Sequence, residues 1–122
     1  PYEDIRNNPV LENILAKNFE ALGEKVMPRR KELGIGTTDV GNVTHKIPAL
    51  QSYVQVVPEV RGHTLEFQEA CGGPKGHRAI KIGAKAMAMT AIDILSDKKL
   101  MDEIKKAFEE MKKKYEWGGD HD

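Results

Sequence analysis

The chain has 122 residues, 39% of them hydrophobic and 31% charged, and its 19 Lys and Arg balance 19 Asp and Glu. That length supports one core, the composition argues against disorder, and the zero net charge argues against nucleic acid or any other partner held mainly by charge. Cys71 is the single cysteine, which excludes an internal disulfide and a thiolate metal cluster and points to a reducing compartment.

No apolar run approaches the roughly 18 residues of a membrane span, and no charged-then-apolar leader opens the chain. The expectation is a soluble, cytoplasmic protein without a membrane partner, in which the Asn42-Val43-Thr44 sequon is accidental. The first residue is Pro1 and not Met, which suggests a processed or truncated chain.

Asn7-Asn8-Pro9 predicts a helix start, because proline suits the first helical position. Leu11, Ile14, Leu15, Phe19 and Leu22 then follow a 3.6-residue period, and Gly23 is the expected end. Thr38 to His45 suits either a short strand or one helical turn. Leu50 to Val57, rich in β-branched and aromatic residues and bounded by Pro48 and Pro58, predicts a strand.

After the Gly72 to Gly76 loop, Ile80, Ala84, Met87, Ala88, Ala91, Ile94 and Leu95 recur at three- and four-residue steps, predicting a packed helix over about His77 to Leu95. Ser96-Asp97 reads as a break and cap before a second helix with the stripe Leu100, Ile104, Ala107, Phe108, Met111 and Tyr115. Interleaved Lys and Glu on that helix mark a solvated face, and Met87, Met89, Met101 and Met111 read as core fillers. Together these elements predict an α/β fold: a small sheet of two or three strands, one long helix before it and two helices after it. Residues 1–117 would form a single partial domain and 118–122 a frayed tail.

His45, His63 and His77 are spaced by no compact metal signature, and His121 lies in the tail. His63 stands out by its setting, since it follows Gly62 just after the predicted strand, where an α/β sheet places its ligand. Asp39 lies in a polar turn of small residues, where it serves either as a turn cap or near a substrate. Gly72-Gly73-Pro74-Lys75-Gly76 ahead of a helix could seat a phosphate, although it lacks the ending of a P-loop.

Three stretches together resemble one family. Gly36-Thr37-Thr38-Asp39-Val40-Gly41-Asn42-Val43-Thr44-His45 with Ile47-Pro48 is similar to the Ser-Thr-Asp-x-Gly-(Asp or Asn)-Val-Ser block of zinc-dependent amidohydrolases of the aminoacylase and carboxypeptidase type. His63-Thr64-Leu65-Glu66-Phe67-Gln68-Glu69-Ala70 is similar to the family's His-Thr-x-x-Phe-x-Glu-Ala block, and Gly76-His77-Arg78-Ala79 through Asp93-Ile94-Leu95 to its closing helix.

The resemblance implies the C-terminal part of a catalytic domain that hydrolyses amide bonds of N-acyl amino acids or dipeptides through a metal-activated water. It implies His63 as the last ligand of a one- or two-zinc site and Thr37, Thr38 and Asp39 as pocket residues, with Thr37 where Ser is commoner. The catalytic glutamate and the other ligands would lie in a missing N-terminal part, so this piece would be inactive alone, and the complete enzyme would be a homo-oligomer. The roles of Asp39, His45 and His77 stay open. So do two other classes of reading: a stand-alone, non-catalytic interaction module, and a small phosphate-ligand binder using the Gly72 to Gly76 loop.

Overall fold

Asn8 sets the first helix, and through it the whole arrangement. In the computed structural model, which describes residues 2–28 and 38–114, helix α1 spans Pro9–Ala21. The Asn8 side-chain oxygen accepts from the Val10 and Leu11 N–H groups at 3.1 and 3.2 Å, and Pro9 has no N–H to satisfy. The helix ends as expected at Gly23, whose φ of 85° only glycine adopts without strain and whose N–H closes on the Glu20 carbonyl at 2.9 Å.

Four more helices follow: α2 over Val40–Thr44, α3 over Leu65–Gly72, α4 over Pro74–Ser96 and α5 over Lys98–Lys114. The segment open to two interpretations is therefore a helical turn. Asp97 caps α5 as its sequence position suggests, its carboxylate accepting from the Lys99 and Leu100 N–H groups at 2.9 and 3.3 Å. Helix α4 is the central element and touches α1, α3 and α5, while α1 also packs on α5. No helix among the described residues is long and apolar enough to cross a membrane.

The expected α/β class is overturned, because the described residues contain five helices and no strand. Residues 51–55 lie outside any regular element. β propensity expresses fit to a pleated neighbour, and a lone strand has none. Here the neighbour is replaced by a side chain: the Asn7 amide accepts from the Gln51 N–H at 2.9 Å and donates to the Gln51 carbonyl at 3.0 Å. The Asn8 N–H adds a bond to the Ala49 carbonyl at 2.9 Å, and Val54 lies against Gly83 of α4. The segment is thus pinned to α1 and α4 without a ladder.

The core is small. Ile14 and Leu15 of α1, Ala79 and Ala86 of α4, and Ile104 and Phe108 of α5 are its buried apolar residues. Buried polar groups connect the same helices: Asn18 donates to Thr90 Oγ1 and Asp93 Oδ2, both at 2.9 Å, and Asn8 donates to the Ile104 carbonyl at 3.0 Å. The α5 stripe is confirmed at Ile104 and Phe108, whereas Tyr115 lies outside the described residues. The α4 stripe requires a correction. Its buried face is Gly76, Ala79, Ala86 and Thr90, and the larger residues Ile80, Met87 and Leu95 are exposed. Met87 is accordingly not a core filler, and the small residues are what let three helices approach α4 closely.

Candidate functional site

His63 stands one residue before the cap of α3. The Thr64 hydroxyl donates to the Arg61 carbonyl at 2.8 Å and accepts from the Phe67 N–H at 3.2 Å, which ties the turn to the first turn of the helix. This tight entry forces His63 to φ 62°, a left-handed conformation that few non-glycine residues take and that histidine tolerates better than most. Its side chain is exposed, and no hydrogen bond or ion pair with the described residues occupies the ring. Together with Gly62, Thr64, Leu65, Phe67 and Gln68 it lines an open hollow of about 550 Å³.

Thr38 and Asp39 lie elsewhere, at the start of α2. The Thr38 hydroxyl accepts from the Val40 N–H at 3.3 Å, and Asp39 is exposed. Neither lines the hollow beside His63, and α2 packs on none of the other helices. Thr37 lies outside the described residues, as does His121. His77 is exposed in the first turn of α4, where its N–H bonds to the Gly73 carbonyl at 3.1 Å. The expected Gly72 to Gly76 loop is helical instead: Gly72 ends α3, Pro74 opens α4 and only Gly73 lies between them, and Gly76 has a packing explanation, being buried where a Cβ would lie 1.9 Å from the Cys71 carbonyl oxygen.

The rest of the α2 block holds the N-terminal strap, residues 3–6. A Cβ on Gly41 would lie 1.9 Å from the Glu3 carbonyl oxygen, so glycine permits the strap to cross there. The Glu3 N–H donates to Asn42 Oδ1 at 3.2 Å and the Arg6 N–H donates to Thr44 Oγ1 at 3.1 Å. His45 Nε2 meets the Asp4 carbonyl at 3.0 Å and its carboxylate at 3.2 Å. The Arg6 guanidinium, hydrogen-bonded at 3.0 Å, holds the Asp4 carboxyl below its ordinary range; partial burial opposes this, and the charges of Arg6 and His45 add to it. Four of the residues that carry the family resemblance are thereby engaged in docking the strap.

Glu3, Asp4 and His45 form a group of three possible metal donors. Sequence reasoning missed it, since 41 residues separate Asp4 from His45 and no local spacing announces the pair. The group is an ion-pair cluster: Arg6 neutralises Asp4, and the Nε2 that a metal would need already faces two oxygens. His63 belongs to no such three-donor group among the described residues. A stable zinc site draws on three or four protein ligands, and the described residues do not assemble that number around His63.

Over 109 residues the chain is 28% identical to a Mus musculus Xaa-Arg dipeptidase, a match covering 88% of this chain and 25% of that protein. Over 73 residues it is 33% identical to a Homo sapiens Xaa-Arg dipeptidase, covering 60% of this chain and 17% of that protein. No protein-family model matches. The chain is therefore a distant homologue of dipeptidases, which are hydrolases, and its matches span a quarter or less of those relatives' length.

Proposed function

We propose that this chain supplies one segment of a metal-dependent amidohydrolase or peptidase that cleaves dipeptides or N-acyl amino acids, with His63 as a ligand of its zinc. One observation carries the reading. In the stretch His63-Thr64-x-x-Phe67, the hydroxyl and the aromatic residue's N–H build the helix entry, and the imidazole is left uncommitted at an open hollow. A neutral ring free on one nitrogen is what a metal ligand requires. The distant likeness to Xaa-Arg dipeptidases supports the substrate class.

His63 contributes one donor in this reading, and the remaining ligands and the proton-transferring carboxylate come from polypeptide outside this segment. Thr37, Thr38 and Asp39 are the proposed pocket residues. Cytoplasmic location and a homo-oligomeric complete enzyme complete the proposal.

The test is hydrolysis of Xaa-Arg dipeptides and N-acyl amino acids by the product of the complete reading frame, with metal content measured in parallel. His63→Ala is expected to lower activity by about a hundredfold or more and to reduce bound zinc. Full activity and unchanged metal content in that variant would remove His63 from the site. A product with neither activity nor metal would overturn the hydrolase reading.

A further inference from the structure

A chain of hydrogen bonds joins the N-terminal strap to the turn that carries Thr38 and Asp39. The Arg6 N–H donates to Thr44 Oγ1 at 3.1 Å, and that hydroxyl donates to the Gly41 carbonyl at 2.7 Å. The Gly41 N–H reaches the Thr38 carbonyl at 3.4 Å, and the Val43 N–H reaches the Asp39 carbonyl at the same distance. Thr44 is 1% exposed and Gly41 is buried, so the relay runs along the inner side of α2, where neither water nor further polypeptide replaces its bonds.

The strap is itself anchored at its far end. It runs into Asn7, which bonds to Gln51, and into Asn8, which bonds to Ala49, caps α1 and reaches the Ile104 carbonyl of α5. Beside the relay stands a second link. His45 Nε2 faces the Asp4 carbonyl and the Asp4 carboxylate, both acceptors, so this nitrogen carries the proton and donates. One stretch of sequence thus divides its work: Gly41, Asn42, Thr44 and His45 grip the strap, and Asp39 stands exposed at the turn.

We infer that the strap positions Thr38 and Asp39 against substrate, with Thr44 and His45 as the positioning residues through which it acts. This inference rests on the hydrolase reading, in which Thr38 and Asp39 are pocket residues, and adds what sets their place. Misplacing a binding group by about 1 Å is enough to weaken its contribution severely. The zinc is held elsewhere in that reading, through His63, so loosening the strap raises KM and leaves metal content unchanged.

The test is steady-state kinetics of the complete reading-frame product on an Xaa-Arg dipeptide, with zinc content and circular dichroism measured alongside. Thr44→Val keeps the side chain's shape and removes the bridging hydroxyl; it should raise KM roughly tenfold with kcat changed by less than about twofold, and Thr44→Ser should restore KM. His45→Ala should raise KM by a smaller factor of about three, and His45→Gln, whose amide also donates, should recover most of that. Should the buried Thr44→Val variant fail to fold, the exposed-edge pair at His45 decides. Unchanged KM in the variants that fold, a loss of activity in which zinc falls as well, or failure of the Ser and Gln variants to rescue overturns the inference and leaves the hydrolase reading standing. An unmodified product without activity overturns the inference together with the reading it rests on.

Discussion

The side-chain amide of Asn8 donates to the carbonyl of Ile104, 96 residues further along the chain, at 3.0 Å. The same side chain caps α1, and at 1% exposure it has no water to fall back on. One residue thus starts a helix and locks it to the last one.

Asn8→Ala removes both roles and is expected to lower unfolding stability by about 2–4 kcal/mol, the cap and the buried bond together. Asn8→Ser keeps a capping oxygen but is too short for Ile104, and should lose roughly half as much. Urea denaturation of the two variants separates the contributions.

Two glycines of α4 should respond with opposite signs. A Cβ at Gly76 would collide with the backbone of Cys71 at 1.9 Å, so Gly76→Ala must push α3 away from α4 and should destabilise by about 1–3 kcal/mol. At Gly83 the nearest atom is Val54 Cγ2 at 3.5 Å, an ordinary contact. Gly83→Ala should therefore gain about 0.5–1 kcal/mol from helix propensity. Thermal unfolding of both variants checks the contrast.

The N-terminal strap should loosen in acid. The Asp4 carboxyl is held low by Arg6, so its contribution is present above the ordinary Asp range and is lost as pH falls through its depressed folded value. Because Asp4 is largely exposed, the effect on global stability is small. Amide exchange at Glu3 and Arg6 is the sensitive measurement: protection should fall in acid, and Asp4→Asn should remove that pH dependence. Gly41→Ala should abolish the protection at every pH, because its methyl group would occupy the place of the Glu3 carbonyl.

His63 should show function and stability pulling apart. Its φ of 62° favours glycine, so His63→Gly is expected to raise stability by up to about 1 kcal/mol while removing the proposed ligand. Chemical denaturation and zinc content, measured together on the complete polypeptide, test the pair of outcomes.

Where punctuation and periodicity acted locally, the sequence was readable. Asn8-Pro9, Gly23 and Asp97 delimit helices as caps should, and Ile104 and Phe108 face inward as their spacing indicates. The strand at residues 50–57 was misread because its composition announces a preference, while pairing depends on a neighbour the described residues do not provide. Helix α3 went unpredicted, though Thr64 as a cap with Phe67, Ala70 and Cys71 at helical spacing was available as a signal. On α4 hydrophobicity pointed to the wrong face, since Gly76, Ala79, Ala86 and Thr90 are buried for their small size. The candidate site was legible at His63 through its motif alone, whereas the contact between Asp4 and His45 had no local signature.

The amide of Asn7 stands in for a neighbouring strand at Gln51 alone, and the N–H and C=O groups from Ser52 to Gln55 make no hydrogen bond with the described residues. An uncharged run rich in β-branched residues and with open backbone groups has the composition on which amyloid-like stacking grows. Pro48 and Pro58 stand on either side of it, and a ring without a backbone donor is the kind of residue that interrupts an added ladder.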